Sequence, residues 1–177
     1  MNRMAKTPHI PRPLRALCSW GLRLLCPLVL ASLPARAHNI DTSYARVVIT
    51  PGQIELRLTL DLYTLLNTAR LDPDQDLRIT HEEWIKAAPA LEAYLRGAVL
   101  YHMDGQPTVL GVLGTVAWPA GQGRAIPSGQ WHSTNGLVTF SFRQRVSQPP
   151  AAIALGFDFF ETFGQSHIVL GVFEGGG

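Results

Sequence analysis

Between positions 72 and 83 the chain reads Asp-Pro-Asp-Gln-Asp-Leu-Arg-Ile-Thr-His-Glu-Glu, and the side chains able to do chemistry stand at regular intervals. Asp72, Asp74 and Asp76 take the first, third and fifth places, Ile79 the eighth and Glu83 the twelfth. On a tightly curled segment alternate side chains turn inward, so three carboxylates converge on one point. A hard divalent cation takes about six to eight oxygens at short range. The remaining oxygens are at hand: the backbone carbonyl of Arg78, Thr80 directly or through water, and both oxygens of Glu83. The chemistry indicated is calcium binding, with Asp72, Asp74, Asp76, Arg78, Thr80 and Glu83 as ligands.

The spacing is that of a twelve-residue EF-hand loop, with one departure. Leu77 holds the sixth place, where glycine allows the sharp turn. A side chain in the left-handed region costs about 1–2 kcal/mol, or about tenfold in affinity, which weakens a site without abolishing it. The competing account is an acidic surface turn before a capped helix. Thr80 and Glu83 already fit a capping box, so the case rests mainly on the three aspartates. Sensors use paired hands, and the sequence offers no second loop. The expectation is therefore a structural clamp.

The elements that must position this loop follow from periodicity. From Ser43 to Leu62 apolar and polar residues alternate around Pro51-Gly52, which predicts a β-hairpin with one buried face. Tyr63 to Leu71 predicts a stunted entering helix. After the loop, Trp84, Ala88, Leu91 and Leu95 recur at helical spacing over an excursion of residues 80–96, with a break expected at Pro89. Strand patterns resume at 98–103, 108–118, 138–143, 151–160 and 166–173, while 119–136 is rich in Gly, Pro and Ser and predicts a long loop or a pair of turns. The expected fold is mainly β, a sandwich-like antiparallel domain with an inserted EF-hand-like loop and helix.

The first 37 residues carry six of the fifteen Lys and Arg, no Asp or Glu, an apolar run from Leu24 to Leu33, and the ending Ala35-Arg36-Ala37. These are the features of a secretory signal peptide, and the run is too short for the roughly 20 residues of a membrane span. The mature domain is expected over 38–174, with 175–177 a tail, in a periplasmic or other extracytoplasmic compartment. Nine basic residues then face thirteen acidic ones, a formal charge of −4 in place of the whole-chain +2, which gives no electrostatic basis for nucleic-acid binding. Cys18 and Cys26 leave with the leader, so neither a disulfide nor a thiolate metal site is expected. His38, His81, His102, His132 and His167 are scattered. Cleavage after Ala37 would make His38 the N-terminal residue, able to chelate copper or nickel through its amine and imidazole; the alternative reading is a periplasmic copper- or nickel-binding protein using His38 and other histidines. There is no G-x-S-x-G, no H-E-x-x-H and no phosphate-cradling glycine loop, so no enzyme is expected.

The stretches AHNIDTSYARVVI, QIELRLTLDLYTLL, LDPDQDLRITHEEW, AAPALEAYL and ALGFDFFETFGQSHIVL together resemble the extracytoplasmic N-terminal region of HupE/UreJ-like membrane proteins. That family is described as hydrogenase or urease accessory, or nickel-transporter-like. The resemblance implies a sandwich-like β domain with an accessory or interaction role, linked to a membrane protein or transporter. Family members continue into several transmembrane helices, which this sequence lacks, so transport is not carried over.

Overall fold

The computed structural model describes residues 42–116, 118–120 and 123–175. The expected signal peptide and His38 lie outside them. The predicted hairpin forms: β1 (Thr42–Thr50) pairs antiparallel with β2 (Gln53–Asp61), with Ala45 opposite Leu58 and Val47 opposite Leu56. Gly52, at φ 81°, supplies the left-handed turn residue. β8 (Leu137–Arg145) joins the far side of β2 with Phe142 opposite Leu56 and Phe140 opposite Leu58. Because side chains alternate, these residues share one face, and all are buried. Each large apolar side chain so covered contributes about 1.5–3 kcal/mol.

Two further strands complete this sheet, β6 (Val112–Leu113) beside β8 and β10 (Ile168–Gly175) beside β1, in the order β10-β1-β2-β8-β6. Every pairing is antiparallel except β1–β10, which is parallel. Parallel neighbours need a long crossover, and nearly the whole domain lies between these two strands. Gly175 is the last residue of β10 rather than part of a tail. The long strand expected over 108–118 shrinks to two residues. Gly111 runs so close to β8 that a Cβ there would lie 2.1 Å from the Arg143 carbonyl oxygen.

A second sheet contains β5 (Gln106–Thr108), β4 (Val99–Met103) and β9 (Ile153–Phe157). Its hairpin turns at Asp104 and Gly105, both left-handed, the turn in which Asp-Gly is favoured. The strand expected to reach residue 160 stops at Phe157, and α3 (Phe160–Phe163) follows. The entering helix is α1 (Leu62–Leu66), capped by Asp61, whose Oδ1 accepts from the Thr64 N–H at 2.6 Å.

After the loop comes α2 (His81–Ala98), a single helix that runs through Pro89 where a break was expected. Trp84, Ala87, Leu91, Leu95 and Ala98 form one buried stripe, whereas Pro89 faces solvent. Burial of that stripe outweighs the one backbone hydrogen bond that a proline removes. Trp84 packs on Phe140 at 6.1 Å between ring centroids, and the Arg96 guanidinium lies 5.2 Å from the Phe142 ring centre. The helix thus covers the apolar face of the five-stranded sheet. The fold is mainly β, with strands largely antiparallel.

Candidate metal centre

Leu71, fully buried, anchors the chain just before the loop. Beyond it the three aspartates converge: Asp72, Asp74 and Asp76 each offer a carboxylate oxygen, all within 4.8 Å of one another. Backbone donors hold them. Asp72 Oδ1 accepts from the Asp76 N–H at 3.2 Å, and its Oδ2 from the Leu77 N–H at 3.1 Å. Asp74 Oδ1 accepts from the Asp76 N–H at 3.3 Å, and Asp76 Oδ1 from the Arg78 N–H at 2.8 Å. The curl needs two left-handed residues, Gln75 at φ 61° and Leu77 at φ 63°. Leu77 therefore adopts the conformation for which glycine is usual. Its side chain is 60% exposed, so the strain is not offset by burial.

The next residues form β3 (Arg78–Ile79), which pairs antiparallel with β7 (Ile126–Pro127) from the long 119–136 loop. Ile79 sits opposite Ile126, both essentially inaccessible to solvent. The Ser128 N–H donates to the Leu77 carbonyl at 2.9 Å, and the Trp131 indole N–H donates to the Ile126 carbonyl at 3.0 Å. Arg78 stands opposite Pro127, which has no N–H to donate. The Arg78 N–H is directed instead at Asp76 Oδ1.

Thr80 and Glu83 form a complete capping box. Thr80 Oγ1 accepts from the Glu83 N–H at 3.2 Å. Glu83 Oε2 accepts from the Thr80 N–H at 2.8 Å and from the Thr80 hydroxyl at 2.7 Å. The Glu83 carboxylate is thereby turned to its cap and is not part of the three-aspartate group. Of the six candidate ligands, the fold gathers Asp72, Asp74 and Asp76, places Arg78 in β3 opposite Pro127, and holds Thr80 and Glu83 against each other. The electrostatics fit crowded like charges. Lost hydration, the hydrogen bond with Asp74 and the Asp76 charge hold the Asp72 carboxyl above the usual carboxylate range, against the lowering effect of the Leu77 and Asp76 N–H donors.

The residues that sequence reasoning missed are Ile126, Pro127, Ser128 and Trp131, which brace the loop from a segment expected only to be irregular. The available signal was an isolated Ile and Trp within a Gly- and Pro-rich stretch. The histidines take separate places. His81 lies 5.9 Å from Trp118 and His102 sits on β4. The His132 ring is 3.9 Å from that of Tyr63 with its Nδ1 3.6 Å from Asp61. His167 Nε2 is 2.9 Å from the Ser43 hydroxyl. Among the described residues, the three aspartates are the group of three or more metal-capable side chains that comes together. No helix among them is long and apolar enough to cross a membrane. No protein-family model, curated protein or solved structure matches the chain.

Proposed function

We propose that this is an exported, non-enzymatic domain that binds one calcium ion in the 72–83 loop as a structural clamp. Its role would be accessory, in association with a membrane protein of the metal-transporter type that the sequence resembles. The observation that carries the calcium reading is the convergence of three aspartate carboxylates within 4.8 Å on a loop left-handed at both 75 and 77. In this reading Asp72, Asp74 and Asp76 ligate through carboxylates and Arg78 through its carbonyl. Thr80 contributes directly or through water, and Glu83 swings off its cap to bind with both oxygens. Oxygen ligands from a flexible loop suit calcium better than magnesium, which demands near-ideal octahedral geometry.

The clamp reading is supported by β3–β7, which ties the loop to residues 126–131 where paired hands would use a second loop. With Leu77 in place of glycine, an affinity of roughly 10⁻⁴–10⁻³ M is expected, a range used by extracellular modules. Calorimetric titration of the protein with calcium, magnesium, nickel and copper tests the proposal. Calcium should bind at one site and should fail to bind Asp72→Ala/Glu83→Ala. The reading is abandoned if that double variant keeps wild-type calcium affinity and melting temperature.

A further inference from the structure

Among the described residues, the two edges of the five-stranded sheet are built differently. On one side it ends in β6, a two-residue strand; shortness is one of the ways natural sheets protect an edge from pairing with another chain. The other side ends in β10, which is eight residues long. From Ile168 to Phe173 it carries no charge, no proline and no bulge, so the usual protections are missing. Its apolar side chains stand in solvent: Ile168 is 44% exposed, Leu170 51%, Val172 52% and Phe173 55%. Leu170 and Val172 lie with Tyr44, Arg46 and Thr59 on the sheet face away from the core. Val169 packs on the core side, where Phe173 stands beside Val47.

We propose that β10 is a dimerisation edge that pairs antiparallel with β10 of a second copy, about a two-fold axis at Gly171. An open strand edge is a row of backbone donors and acceptors that another strand satisfies. A two-fold axis perpendicular to the sheet keeps both core faces on the same side, so residues facing each other must share a face. Registers are then limited to two-residue steps. Centring on Gly171 sets Leu170 against the second copy's Val172 and Val169 against its Phe173, apolar against apolar on both faces, with glycine opposite glycine and Glu174 kept to the ends of the seam, opposite Ile168. A step toward the C-terminus sets Leu170 against Glu174 and Gly171 against Phe173, while a step toward the N-terminus shortens the overlap.

Charge selects the direction. Glu174 is held by Arg46 at 2.6 Å. Antiparallel pairing puts the two Glu174 residues at opposite ends of the seam, whereas parallel pairing in register would set them side by side. Antiparallel pairing about a two-fold also consumes both open edges, so assembly stops at two copies.

Sedimentation velocity over a concentration series tests this. The wild-type protein should pass from monomer to dimer. Leu170→Lys/Val172→Lys should weaken association at least tenfold, with a melting curve unchanged at concentrations where the wild type is a monomer, because both side chains there face solvent. Directly opposed residues in an antiparallel pair have Cα atoms about 4.5–5.5 Å apart, within the roughly 4.4–6.8 Å of disulfides. A Cβ at Gly171 meets nothing within 4 Å. In a chain with Cys18 and Cys26 changed to serine, Gly171→Cys should therefore oxidise to a disulfide-linked dimer much faster than Glu174→Cys. A monomer at every concentration overturns the proposal. Open-ended oligomers, dimerisation indifferent to the two lysines, or faster cross-linking at Glu174→Cys would each overturn it too.

Discussion

Leu77 is the residue on which the affinity of the loop turns. At φ 63° it pays for a left-handed conformation that glycine adopts freely. Leu77→Gly should remove that strain, with a rise in melting temperature partly offset because glycine also loosens the unfolded chain, and calcium affinity read by calorimetry should rise by at most about tenfold. Asp72 makes a second residue-scale prediction. A carboxyl held above its unfolded range binds its proton more readily in the folded state. Folding is therefore favoured as pH falls through the folded value and is penalised above it. In metal-free protein, the melting temperature of Asp72→Asn should gain on wild type as pH rises from about 3 to about 6, the span of ordinary carboxylate titration. Calcium at neutral pH should reverse the order by stabilising wild type alone. Asp72, Asp74 and Asp76 were legible in the sequence because alternate positions on a curl must converge. The cap-bound state of Glu83 was only half legible: its capping partner could be read, but not which of two roles holds the carboxylate.

Among the elements, β7 has the most to say about the loop. Ser128, the residue after it, holds the carbonyl of Leu77 through its N–H, and Pro127 has no N–H to offer Arg78. Ser128→Pro removes that donor at the start of a 3₁₀ turn, where a proline φ is tolerated. The lost bond, worth about 0.5–1.5 kcal/mol, should appear as a several-fold loss of calcium affinity. Intrinsic fluorescence can report it, since Trp84 follows Glu83 directly and its ring lies 5.8 Å from that of Trp118. No local rule could have found β7, because a two-residue strand has no period and its partner lies far away in sequence. The hairpin was readable for the opposite reason, since its alternation is long and its partner adjacent. Pro89 misled because propensity is local, whereas the stripe from Trp84 to Ala98 is held by a sheet assembled from distant segments.

For the molecule as a whole, a clamp between the loop and the rest of the domain should show as stability linked to calcium. A ligand that binds only the folded state at a hundred times its dissociation constant adds about 2.7 kcal/mol. For a domain of this size that is a rise in melting temperature of several degrees, measurable by calorimetric scanning in calcium against chelator and absent in Asp72→Ala/Glu83→Ala. The mainly β class was legible from the strand patterns, but the parallel return of β10 to β1 was not, since nothing in either strand announces the other.

That return has a kinetic consequence. Arg46 and Glu174, which tie the two strands, are 128 residues apart in the chain. Closing so large a loop carries the greatest entropy penalty of any pairing in this sheet, and it brings in a strand whose side chains, Val169 apart, are exposed. The β1–β10 seam should therefore zip last and open first. At concentrations where the protein is a monomer, native-state hydrogen exchange should find the amides of β10 opening at a lower free energy than those of β2 and β8, as a unit of its own.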